Sequence, residues 1–149
     1  MRKISSALIV LSACITSAHA QSLDQQERCA QQARRAFQEI QAEAASTNQK
    51  LGFTPISSDY QSHYNTKSGK CLMLVETNTM FAGESNTSAY LSDANERRYY
   101  ASYLWMSRKG KKYWEVPPIS CELTASSREK KLCSSREEFD AFTANYMEE

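Results

Sequence analysis

A chain of 149 residues, 41% hydrophobic and 23% charged, carries enough apolar material for one modest domain. It lacks the biased composition of a disordered chain and the long apolar run of a permanent membrane span. Eighteen Lys and Arg against 17 Asp and Glu give a net charge of +1, so bulk electrostatics argue for neither nucleic acid nor an anionic membrane as partner.

The chain opens on an address. Met1-Arg2-Lys3 is a basic start, residues 4–11 are apolar, and Ala18-His19-Ala20 is a small-x-small cleavage signal, which predicts a signal peptide over 1–20 and a single domain over 21–149. Leu11-Ser12-Ala13-Cys14 competes with that reading. It resembles the lipobox of bacterial lipoproteins, which would make Cys14 the lipidated first residue. Cleavage after Ala20 ranks ahead, because cutting before Cys14 leaves a very short apolar core. That cleavage removes Arg2 and Lys3 and no acid, so the charge moves from +1 to −1.

Four cysteines then remain: Cys29, Cys71, Cys121 and Cys133. An even count in an exported chain points to two disulfides, with three connectivities open.

Ser22-Leu23-Asp24-Gln25 has the form of a capping box and predicts a helix start. Ala30, Ala33, Phe37, Ile40 and Ala44 follow at steps of three and four, with Cys29 beside that stripe, and Gly52 with Pro55 ends the helix. Residues 53–59 read as a connection and 60–65 as a short strand. Residues 71–77, CLMLVET, are apolar on successive positions, the pattern of an interior strand covered on both faces. Residues 81–87 read as a loop, 88–92 as a weaker strand and 93–96 as a turn.

The stretch 99–114 is the expected centre of the sheet. It holds six of the fifteen aromatic residues. Strand alternation puts Tyr99, Ala101, Tyr103 and Trp105 on one face and Tyr100, Ser102, Leu104 and Met106 on the other. Residues 108–112, RKGKK, make a turn, and 113–116 are expected to pair back, Leu104 facing Val116 and Met106 facing Trp114. Pro117-Pro118 then interrupts the pairing.

Residues 119–124 resume as a strand and 130–133 return. A hairpin centred on Ser127 sets Cys121 opposite Cys133, at a separation that a disulfide spans. The expected bridges are therefore Cys121–Cys133 and Cys29–Cys71. Ser135-Arg136-Glu137-Glu138 is a second capping box, and Phe139, Phe142 and Tyr146 mark a short amphipathic helix.

Chemistry-bearing residues are sparse. His63 is the one histidine outside the signal segment, and no nucleophile motif frames it. No metal-ligand set, cofactor fingerprint or catalytic signature stands out, so no cofactor is expected. Cations and aromatics do combine at Lys109, Lys111, Trp105, Tyr113 and Trp114, as in glycan and nucleic-acid sites. Against that stands a solvated hairpin tip whose lysines protect an edge. With only two helices, the Tyr99/Tyr103/Trp105 row or the Tyr100/Leu104 row could be left partly open as a recognition surface.

The wording YQSHYN…GKC (60–71), YLSDANERRYYASY (90–103), WEVPPISC (114–121) and SREEFDAF (135–142) resembles a group of small exported proteobacterial proteins without assigned activity. The resemblance implies an exported bacterial protein and transfers no functional residue. Periplasmic lysozyme inhibitors are similar in size, export signal and disulfides, though not in their inhibitory loops.

The expected fold is α+β: an N-terminal helix on a four- to five-stranded antiparallel sheet, a short C-terminal helix and two disulfides. The leading expectation is a periplasmic or secreted, non-catalytic binding or inhibitor-like module. Its partner would be an unknown protein or glycan of the envelope, met through Tyr99, Tyr103, Trp105, Tyr113, Trp114, Lys109 and Lys111. Nucleic acid is not expected, and a membrane only if Cys14 is lipidated. The alternatives are a small hydrolase using His63 with Glu76 or Glu115, and a structural lipoprotein anchored through Cys14.

Overall fold

The computed structural model describes residues 14–124 and 129–148, with side chains from residue 23 onward. Helix α1 (Cys14–Leu51) leads into strands β1 (Thr54–Asn65), β2 (Lys70–Phe81), β3 (Glu84–Asp93), β4 (Tyr99–Met106), β5 (Ser120–Thr124) and β6 (Lys130–Leu132), and helix α2 (Arg136–Met147) closes the chain. The strands pair antiparallel in chain order, a continuous meander. The architecture is α+β as expected, with six strands rather than four or five.

Most of the expected signal segment and lipobox, and the Ser127 turn, lie outside the described residues. The backbone is already helical at Cys14, so Ser22 sits inside α1 and does not cap it. No glycine or proline interrupts residues 14–21, and helix propagates through them. The other end follows the sequence. Gly52 adopts φ +78° and the Phe53 N–H donates back to the Asn48 carbonyl at 2.9 Å, a glycine-terminated helix end.

The two helices cover opposite faces of the sheet. Under α1 lie Met73 and Val75, packed with Ala33, Ala36, Phe37, Ile40, Tyr60 and Tyr90. Cys29 belongs to this buried stripe, whereas Ala30 is exposed. On the other face α2 sets Phe139 against Leu72, Leu91, Ala101 and Tyr103. Strand β2 is thus buried from both sides, as its unbroken apolar run predicts.

Residues 53–59 and 81–87, expected as connection and loop, are mostly strand. β1 pairs with β2 from Thr54↔Met80 onward, with an irregularity at Ile56 beside Pro55. The link between β2 and β3 is a two-residue turn, Ala82-Gly83, with φ of +52° and +85° at its two positions. Hydrophobic alternation misses these strand ends because their side chains pair by hydrogen bonds. Ser58 Oγ lies 2.8 Å from Thr77 Oγ1, and Thr87 Oγ1 donates to Asn78 at 2.7 Å.

Both disulfides have the expected partners, Cys29–Cys71 and Cys121–Cys133, with Cα–Cα separations of 5.2 and 5.0 Å. The register Glu122↔Leu132, Leu123↔Lys131, Thr124↔Lys130 matches a hairpin centred on Ser127.

Burial also sets an alkaline limit. Desolvation pushes the Tyr90 phenol up to about 12 from 10. A raised folded-state value means that the contribution is complete below pH 10 and is lost as pH climbs towards 12. Stability should therefore decline across that window, and Tyr90→Phe should flatten part of the decline in urea titrations at successive pH values. An identical pH profile for the variant would contradict this assignment.

A candidate binding groove beside the second helix

Strand β4 does not return as a hairpin. Residues 113–116, expected to pair with 104–106, form instead a single 3-10 turn over Tyr113–Glu115, and β4 pairs with β5. The Ile119 N–H reaches the Leu104 carbonyl at 2.7 Å, in the place where Val116 was expected. Glycine and lysine lengthen the turn, and Pro117-Pro118 supplies no N–H for a ladder, so the chain leaves the sheet and folds over its α2 face. Trp105 fixes that excursion: its Nε1 donates to the Val116 carbonyl at 2.9 Å and its ring meets Tyr113 at 4.8 Å.

The expected aromatic row is consequently divided. Ser92 pairs with Tyr99 while Leu91 pairs with Ala101, so Tyr100 is an extra residue in β4. This bulge points Tyr100 to the α2 face, where it meets Tyr146, and leaves Tyr99 on the α1 face against Tyr90. Tyr103 and Trp105 are buried, the latter 8% exposed, and serve as floor rather than surface. Tyr113 and Trp114 stay open at 46% and 75%, and Lys109 and Lys111 are exposed on the preceding loop. Tyr99 and the Tyr113–Trp114 pair therefore lie on different faces.

Between the 113–118 segment and the start of α2 lies a groove of about 410 Å³, lined by Tyr103, Trp114, Pro118, Ser135 and Arg136 among others. Arg136 is the residue that sequence reading missed. It donates to Glu76 and Asp140, each at 2.7 Å, and its guanidinium stands 5.6 Å from the Tyr103 ring centroid. Only the Asp140 partner, four residues on in the helix, could have been read from spacing; Glu76 is 60 residues away. Burial foremost, with the hydrogen bond to Tyr113 at 3.2 Å, pushes the Tyr103 phenol up, so it stays a neutral hydroxyl. The Lys112 ammonium rests 5.1 Å above the Trp114 ring. The groove thus offers an aromatic wall, a fixed guanidinium and neutral hydroxyls. At its α2 end the Ser134 hydroxyl donates to the Glu138 carboxylate at 3.1 Å.

His63 and its expected acid partners are not assembled. His63 pairs with Leu72, while Glu76 pairs with Asp59, four residues along the strand, about 13 Å away. The Glu115 carboxylate accepts from the Lys112 N–H at 2.8 Å in the 3-10 turn. Among the described residues no group of three or more His, Cys, Asp and Glu is placed to hold a metal ion. None of their helices is long and apolar enough to cross a membrane. Comparison with protein-family models, curated proteins and solved structures finds no match.

Proposed function

We propose that the chain is an exported, non-catalytic binding module of the cell envelope that holds a protein segment or glycan in the groove beside α2. The observation carrying this reading is Trp114, three-quarters exposed above a cleft whose floor is already ordered. An exposed indole on a rigid base is the usual anchor of a recognition site, because little ordering remains to oppose binding. Arg136, held by two carboxylates, gives polar specificity without having to be ordered by the partner. The two disulfides fit an oxidising compartment.

Trp114→Ala tests this reading. The substitution removes no buried contact, so the unfolding free energy should stay within about 0.5 kcal/mol of the parent. Capture of envelope proteins or of cell-wall glycan fragments by the immobilised chain should fall about tenfold or more. Unchanged capture by the variant, or no capture by the parent chain, would refute the groove as the binding site.

A further inference from the structure

Exposed apolar and cationic side chains meet at one end of the sheet. That end comprises the start of β1, the turn between β2 and β3, and the crossing from β4 to β5. Leu51, Ile56, Met80, Phe81 and Ile119 are all exposed there, at 39% or more. The three elements form one ridge. Phe53 stacks on Phe81 at 4.8 Å, the Ser107 N–H donates to the Ser85 carbonyl at 2.8 Å, and Ser107 Oγ donates to the Glu84 carboxylate.

Charge at this end departs from the near-neutral whole. Lys50 closes α1, and Arg108, Lys109, Lys111 and Lys112 occupy the loop after β4, all exposed. The acids beside them are Glu84 and Glu115, each already accepting a hydrogen bond from the chain. Several cations elsewhere are paired, Lys70 with Asp93 and Glu96, Arg97 with Glu39 and Glu43, Lys130 with Glu122, and Arg136 with Glu76 and Asp140. The five cations at the ridge are in no ion pair among the described residues.

We propose that this ridge docks end-on against an anionic phospholipid surface, its apolar side chains entering the headgroup boundary and its five cations meeting lipid phosphates. Apolar side chains set among unpaired lysines suit that boundary, where alkyl stems are buried and ammonium heads stay at the phosphates. Single-stranded nucleic acid would want aromatic faces free for stacking along a basic groove. Here Phe53 and Phe81 stack on each other, the open rings beside the cations are Tyr113 and Trp114 alone, and Leu51, Ile56, Met80 and Ile119 offer a base no face, which favours the lipid. The proposal is independent of the groove reading, since it rests on the turn, the end of α1 and the 108–112 loop. It also needs no acyl anchor.

The test uses the exported chain carrying Cys14→Ser, which excludes lipidation, in co-sedimentation with vesicles. Phosphatidylglycerol vesicles should bring the chain down and phosphatidylcholine vesicles should not, with binding weakening as salt rises. Lys109→Glu with Lys111→Glu should lower the partition coefficient about tenfold or more. Leu51→Glu and Phe81→Glu should each lower it several-fold, with thermal midpoints checked against the parent. Leu51, outside the Phe53–Phe81 stack, guards against a folding artefact. Equal binding to both lipids, no binding to either, full binding by Leu51→Glu and Phe81→Glu, or binding of an oligonucleotide in place of vesicles would each overturn the proposal. Trp114→Ala separates the two readings: lost groove capture with vesicle binding largely retained leaves both standing.

Discussion

Replacing Phe139 by alanine is expected to cost about 3–5 kcal/mol, the largest effect of any single side chain considered for this fold. The ring is fully buried at the centre of the α2 interface, against Tyr103 at 5.7 Å and beneath the Arg136 guanidinium at 5.8 Å. Two contributions add. The ring's burial is lost, and the sheet beneath it cannot collapse into the space, because Leu72, Leu91 and Ala101 are held by strand pairing on both sides. Helix α2 has 12 residues and would not persist alone in water. Its docking depends on Phe139, with Phe142 and Tyr146 packed at the margin. Urea unfolding should show the loss directly, and the thermal midpoint should fall by roughly 10–20 °C. Phe142→Ala, at a half-buried position, should cost less than half as much. A Phe139→Ala midpoint within 1 M urea of the parent would show that α2 is held chiefly by something else. The same variant should weaken the groove, since Ser135 and Arg136 enter it from the turn that Phe139 anchors.

The fold was legible wherever burial was periodic. The stripe of α1, the doubly covered β2 and the Phe139/Phe142/Tyr146 face of α2 each follow from spacing alone. The two bridges followed from register and parity together. What escaped was structure held by hydrogen bonds or by an odd residue. The polar ends of β1 and β3 carry Ser, Thr and Asn ladders, which hydrophobic alternation does not register. The Tyr100 bulge reverses the face of Tyr99 by one residue, and no local composition announces it. The site was half legible for the same reason. Aromatic density drew attention to 99–114, from which the proposed groove takes part of its lining, yet strand alternation could not tell that Trp105 would be floor and Trp114 wall. That division depends on the chain leaving the sheet after Met106, and on an α2 that arrives from 20 residues beyond Val116. Arg136 enters through a contact with Glu76, a long-range pairing that spacing does not encode.

Removing the Cys29–Cys71 bridge is the second large effect expected. With a sequence separation of 42 between the partners, chain-entropy arguments give about 4 kcal/mol, against about 3 kcal/mol for Cys121–Cys133 with its separation of 12. Packing widens that gap. Cys29 and Cys71 are at most 3% exposed and join the α1 stripe to the first residues of β2, whereas the second bridge joins two strands already in register. What remains of α1 at that end includes a reciprocal pair of hydrogen bonds, Gln26 Nε2 to the Tyr64 carbonyl at 3.0 Å and the Tyr64 N–H to Gln26 Oε1 at 2.9 Å, with Gln25 Nε2 donating to the Tyr64 hydroxyl at 3.2 Å. Such bonds hold a docked helix in place but do not bring a detached one back. The Cys29→Ala/Cys71→Ala chain should therefore unfold at lower urea than the Cys121→Ala/Cys133→Ala chain. Amide exchange in that first variant should also rise through the N-terminal half of α1 before the sheet is affected. Farther along, Phe37 packs on Tyr60 at 4.6 Å and Gln41 bonds to Ser58, so the C-terminal half of α1 should keep its protection. If the hairpin variant proves the weaker of the two, closure entropy and burial together do not govern these bridges, and the edge formed by β5 and β6 would be the element on which the fold depends. If both variants unfold with the parent's midpoint, the meander and its two helices are stable without either staple. An oxidising compartment would then be irrelevant to folding.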